Sequence, residues 1–230
     1  PLSDEIEHQM PDYHLYDRWL EKQKEKKVSA NSLKFYQDYS IGFLTRGCFR
    51  HCPFCVNKNS KRSIPASPLE EFMNPEKKKL CFLDDNFLAC SEWERILESV
   101  LNSGKPFQFK QGLDIRIITR KQIKMLFAGK ILEDTYFAFD DIKDAEVIEN
   151  KLELLRSTVE NPKARIKAYV LCGYDRIGKW DIDFWLNDIE DCFRRIQILM
   201  KYRCPPYLMR YQAYQQSPFR GIYINLARWC

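Results

Sequence analysis

Ser40-Ile41-Gly42-Phe43-Leu44-Thr45-Arg46-Gly47-Cys48-Phe49-Arg50-His51-Cys52-Pro53-Phe54-Cys55 is the stretch on which the reading of the fold turns. Residues 40–45 form a β-branched and aromatic run of strand character. Directly after it come three cysteines spaced C-x3-C-x2-C. Gly47 gives the backbone freedom for a tight turn where the strand ends. A loop of this kind can wrap so that three thiolates converge on one cube of iron and sulfide. Such clusters normally take four cysteines, so three leave one iron open for a ligand that is not protein. A zinc site is the competing reading, because His51 brings the possible ligands to four. Against it, His51 adjoins Cys52, and zinc ligands usually come as two separated pairs. Three buried thiols without any ligand fit the polar surroundings still less well.

Outward from that loop the chain alternates. Strand-like runs fall at 40–45, 79–83, 106–110, 135–139, 165–171 and 207–211. Helical patterns fall between them at 91–102, 119–128, 145–159 and 181–201. Trp93, Ile96, Leu97 and Val100 recur at helical spacing in the first of these. In the last, Phe184, Trp185, Ile189, Phe193, Ile196 and Leu199 share one broad face. Strands alternating with helices predict an α/β fold with a parallel sheet. Six units fall short of the eight of a closed barrel, so an open partial barrel or a doubly wound sheet is expected. Both place function at the C-terminal ends of the strands.

At 230 residues the chain is long enough for one large domain with a real core. Nine cysteines without a secretory signal argue for reduced thiols, some of them metal ligands, rather than a disulfide scaffold. No apolar run is long enough for a transmembrane helix, and the expectation is a soluble, cytoplasmic protein without a membrane partner. A net charge of +5 permits nucleic-acid contact without requiring it. Lys58, Lys61 and Arg62 with residues 77–79 form a candidate basic patch. Residues 1–38 read as a leader, with 21–27 a solvated helix face. Residues 39–214 form the core and 215–230 a C-terminal segment. A start at Pro1 and an apolar-aromatic end at Trp229 and Cys230 suggest a longer parent.

The cysteine motif, with Phe54 just before its last cysteine, resembles the radical S-adenosylmethionine superfamily. The resemblance spans most of the chain. It implies a partial (β/α)6 TIM-like barrel and a [4Fe–4S] cluster on Cys48, Cys52 and Cys55. It also implies S-adenosylmethionine on the open iron, and reductive cleavage to a 5′-deoxyadenosyl radical that takes hydrogen from a substrate. Residues 84–86, Asp84-Asp85-Asn86, depart from the family's Gly-Gly-Glu pattern. They look more like the cobalamin-binding and methylthiotransferase-like branch, in which this segment meets the cofactor's amino group. By the same resemblance Arg116 pairs with the carboxylate, and Asp114 orients Arg116 or meets the substrate. Asp140 accepts ribose hydroxyls, and Leu171 and Gly173 lie along the adenine. Each has an ordinary alternative, helix capping for Asp84 and Asp85 and a structural salt bridge for Arg116. The leader residues 10–16 resemble the linker before the radical domain in cobalamin-binding relatives, but no cobalamin-binding histidine motif is present. A flavodoxin- or ferredoxin-like electron donor and a peptide or RNA substrate would complete the system. A non-catalytic cluster or zinc scaffold, or a nucleic-acid-binding module, is the alternative function.

Overall fold

The structure is a computed structural model and describes residues 3–57, 59–132, 134–159 and 165–230. Helices α1 (Asp4–Glu7), α2 (Asp17–Glu25) and α3 (Ala30–Asp38) lead into β1 (Tyr39–Gly42). A short antiparallel pair follows, β2 (Thr45–Arg46) with β3 (Ile64–Pro65). Then come β4 (Lys79–Phe82), α4 (Trp93–Asn102), β5 (Phe107–Phe109), α5 (Arg120–Ala128), β6 (Thr135–Ala138) and α6 (Ala145–Thr158). The chain continues through β7 (Ile166–Cys172), α7 (Ile182–Lys201), β8 (Pro206–Arg210) and α8 (Arg220–Trp229).

The fold is mixed α/β. Two parallel sheets, β1-β4-β5 and β6-β7-β8, carry strands in chain order. Two parallel bridges, Phe107 with Ile131 and Leu113 with Phe137, join one sheet to the next. Among the described residues no closed barrel forms, and β1 and β8 are the outer strands.

Local sequence dictates these elements. In β7 the residues Ile166, Ala168, Val170 and Cys172 are buried, while Lys167, Tyr169 and Leu171 are half-exposed. That alternation is the period of a strand with one face on a core. The buried set packs with Leu152, Leu155, Cys192, Ile196 and Leu199 from α6 and α7. Burying each such large apolar side chain stabilises by roughly 1.5–3 kcal/mol. At the start of α5, Gln122 N donates to Thr119 Oγ1 (3.2 Å) and Thr119 N to Gln122 Oε1 (2.9 Å), a reciprocal cap. Asp181 caps α7 by accepting from Phe184 N at 2.9 Å.

The expected strand at 40–45 is the element the structure corrects. It breaks after Gly42, and Thr45 and Arg46 turn away to pair with Pro65 and Ile64. The reason lies far off in sequence: the Asp84 carboxylate draws the Leu44 and Thr45 amides out of the parallel ladder. The strand expected at 165–171 starts and ends one residue later.

The two end segments lie on the outer strands. Tyr13 of the leader reaches β1, its hydroxyl donating to Phe72 O (2.7 Å) and accepting from Ile41 N (2.9 Å). Phe35 of α3 stacks on Tyr39 at 4.7 Å. Helix α8 packs beside β8 and buries Tyr223 and Leu226. Tyr13→Phe leaves the ring and removes the hydroxyl from both partners. It should cost about 1–3 kcal/mol in chemical denaturation and speed proteolysis within residues 1–38. Unchanged stability and cleavage would mean that the leader is held by other contacts.

Candidate functional site

The cysteine loop departs from β1 as β2 and returns as β3, so the β2–β3 pair closes its base. The amides of Leu44, Thr45 and Gly47 are not taken up by β3, and the segment after β4 supplies acceptors for them. Thr45 N (2.5 Å) and Thr45 Oγ1 (2.6 Å) donate to Asp84 Oδ1, and Leu44 N (3.3 Å) donates to Oδ2. Gly47 N donates to Asp85 Oδ2 at 2.7 Å, and Asn86 Nδ2 donates to Cys48 Sγ at 3.4 Å. Three consecutive side chains therefore hold residues 44–48 from below. Gly47 has φ +94°, and a Cβ on it would lie 2.4 Å from the Arg62 carbonyl oxygen, so no other residue fits.

All three loop cysteines are free thiols and half-buried. Cys52 O accepts from Cys55 N (2.9 Å), which closes one turn between them. Cys48 Sγ accepts from Arg50 N (3.5 Å) and Cys55 Sγ from Asn57 N (3.4 Å). Burial pushes the Cys52 thiol up; the Arg116 cation opposes this and the Asp140 carboxylate adds to it. Among the described residues no three His, Cys, Asp or Glu side chains are gathered into a metal-holding group.

Behind the loop runs a chain of charges. Arg50 Nε donates to Asp114 Oδ2 (2.6 Å) and Arg116 Nε to Asp114 Oδ1 (2.7 Å). Arg116 Nη1 donates onward to Asp144 Oδ2 at 2.6 Å. Burial alone would raise Asp114, but hydrogen bonds from Arg116 and Arg50 outweigh it and hold the carboxyl below its ordinary range. Burial likewise works against the Arg116 cation, and its pairing with Asp114 and Asp144 more than offsets that.

At the next strand ends Asp140 accepts from Leu171 N at 3.2 Å. Burial pushes Asp140 up, with that hydrogen bond and Arg195 and Arg116 opposing. Gly173 has φ +75°, and its N–H donates to Asp188 at 2.8 Å. A Cβ there would meet the Tyr214 Cβ at 3.3 Å, so the close approach is to this tyrosine.

A cleft of about 730 Å³ opens at these strand ends, with the cysteine loop on one wall and α7 on another. Cys52, Phe54, Arg116, Asp140 and Leu171 all line it. Phe54 meets Tyr174 edge-to-face at 5.6 Å across its rim. Cys48, Cys55, Asp84, Asp85, Asn86, Asp114 and Gly173 do not line it. Asp84 and Asp85 hold the loop, Asp114 holds the two arginines, and Gly173 shapes the turn after β7.

Sequence reasoning passed over Arg50, Asp144 and Arg195. Only Arg195 left a local signal. It shares the buried face of α7 with Trp185, Cys192, Ile196 and Leu199 and is 2% exposed, a charge on an apolar stripe. The candidate basic patch divides. Lys77 Nζ binds the Tyr36 and Gln37 carbonyls and Lys79 pairs with Asp38, so both fasten the leader. Lys61 and Arg62 are exposed, and Lys58 lies outside the described residues.

Asp84 gives the site a pH signature. Burial is the dominant influence and pushes it up to about 6, against hydrogen bonds from Thr45 and Leu44. The folded state therefore holds this proton more tightly than the unfolded chain does. The stability that Asp84 contributes is greatest below the unfolded value near 4 and is lost as pH rises through about 6, about 3 kcal/mol at most. Denaturation midpoints between pH 4 and 7 should show this fall, and Asp84→Asn should flatten it. An equal slope in both proteins would assign the titration to other buried acids.

Compared with protein families, curated proteins and solved structures, the chain matches no family model, no curated protein and no solved structure.

Proposed function

We propose that this chain is a radical S-adenosylmethionine enzyme whose six parallel strands form a partial (β/α)6 TIM-like barrel. Cys48, Cys52 and Cys55 would hold a [4Fe–4S] cluster. The observation that carries this reading is the shared cleft: a loop cysteine, a charged arginine, a half-buried aspartate and an apolar strand end meet at the C-terminal ends of parallel strands. The donor set fits, because three thiols in one loop suit a soft iron–sulfur centre. Asn86 fits as well. Its Oδ1 is buried without a partner while its Nδ2 contacts Cys48 Sγ. An orphaned acceptor beside a cluster ligand calls for a donor, and the cofactor's amino group is one.

When bound together, cluster and S-adenosylmethionine supply reductive cleavage of the sulfonium and a 5′-deoxyadenosyl radical that abstracts hydrogen. The chain's own residues bind and shield. Arg116, kept charged by two carboxylates, takes the cofactor carboxylate. Asp140 accepts from the ribose, and Leu171 packs along the adenine. Phe54 and Tyr174 cover the rim and limit water. A cytoplasmic flavodoxin- or ferredoxin-like donor would deliver the electron, and a peptide or RNA would enter on the open side of the sheet.

Anaerobic reconstitution with iron and sulfide should give about four irons per chain. Cys48→Ala, Cys52→Ala and Cys55→Ala should each abolish the cluster, whereas Cys81→Ala and Cys192→Ala should keep it. Reduced holoprotein should release methionine and 5′-deoxyadenosine. Arg116→Ala and Asp140→Ala should weaken S-adenosylmethionine binding about tenfold with the iron content unchanged. Stoichiometric zinc without sulfide in protein purified without air would replace this reading with a zinc scaffold.

A further inference from the structure

The β6–β7 ladder ends at Ala138 and Tyr169, with Phe139 N still donating to Tyr169 O at 2.9 Å. Beyond it the two chains no longer answer each other's backbone. Leu171 N turns to the Asp140 side chain instead of a β6 carbonyl. The carbonyls of Phe139, Asp140 and Leu171 turn to the Arg195 guanidinium, whose Nη1 donates to them at 3.1, 3.1 and 2.8 Å. Arg195 Nε is anchored on its own helix by Asp191 O at 3.2 Å. One buried cation on α7 thus replaces the missing ladder between two strand ends.

Buried carbonyls left without donors are costly, so this substitution is what lets the strands part at the cleft. Two of the three strand-end residues whose carbonyls Arg195 grips, Asp140 and Leu171, are those the proposed function assigns to the nucleoside. Residues assigned to the amino acid end, Arg116 and Asn86, make no hydrogen bond with it among the described contacts.

The geometry points to Arg195 as the positioning residue for the adenosine half of the cofactor site: it fixes how far apart Asp140 and Leu171 stand, without touching the methionine half. This rests on the radical S-adenosylmethionine reading. It adds that one helix residue sets nucleoside recognition separately from recognition of the amino acid. A guanidinium suits this place because Nε holds the Asp191 carbonyl of the helix while Nη1 of the same rigid plane serves the strand ends, which a lysine ammonium on a flexible stem does less well.

Reconstituted holoprotein is titrated with adenosine and with methionine separately, for the parent chain, Arg195→Gln and Arg195→Lys, with iron content measured on each sample. Arg195→Gln should weaken adenosine about tenfold and leave methionine and iron as in the parent. Arg195→Lys should fall between the two, and it carries the test alone if Arg195→Gln does not fold. Adenosine binding equal to the parent's in the folded variants overturns the assignment. So does an equal loss of adenosine and methionine, which would mark Arg195 as a general structural support. A parent chain that holds the cluster but binds neither probe overturns the cofactor reading itself, and the inference falls with it.

Discussion

The backbone amides of Leu44, Thr45 and Gly47 have left the parallel sheet, and the rest of the site depends on how they are satisfied. Two carboxylates after β4, Asp84 and Asp85, accept them, and Asn86 continues the series to Cys48. An unpaired buried amide costs as much as a lost hydrogen bond, so the loop can leave the sheet only where such acceptors wait. Asp84 is buried for this purpose at the expense of an easy ionisation. The cysteine loop is therefore built into the sheet and does not hang from it.

A second constraint crosses the first. Asp114 binds Arg50 from the cysteine loop and Arg116 from the turn after β5 with its two oxygens. A buried carboxylate between two guanidiniums cannot be moved without stranding charge. Position is transmitted in this way from β5 to the loop, and through Arg116 to Asp144 at the head of α6. In the proposed enzyme the cysteine loop, through Arg50, and the group that binds the cofactor carboxylate, Arg116, are two arms of one ion network. Disturbing Asp114 would disturb both.

Much of the architecture was legible because strands and helices carry their own period. The β-branched and aromatic run at 165–171 and the apolar spacing in 93–100 identified their elements to within a residue or two. The cleft was legible for a different reason: parallel strands put their C-terminal ends together, so Arg116, Asp140 and Leu171 had to be neighbours. What escaped were pairings between distant residues. The turn at Thr45 depends on Asp84, 39 positions away, and Arg50 meets its carboxylate 64 positions on. Neither leaves a local pattern. Arg195 did, as a charge on an apolar face, but a single misplaced charge does not say which carbonyls it serves.

The attachment of the leader to β1 bears on how the molecule behaves in a crowded solution. An outer strand offers unpaired amides and carbonyls that another chain can use as a template. On β1 the Ile41 amide is taken by the Tyr13 hydroxyl, and just past its end Ser67 N and Ala66 N bond the carbonyls of Phe43 and Leu44. A phenol and the segment that continues β3 occupy what a second sheet would need at this edge. The β1 side of the open sheet is thus guarded against edge-to-edge aggregation by one side-chain hydroxyl and a short returning backbone.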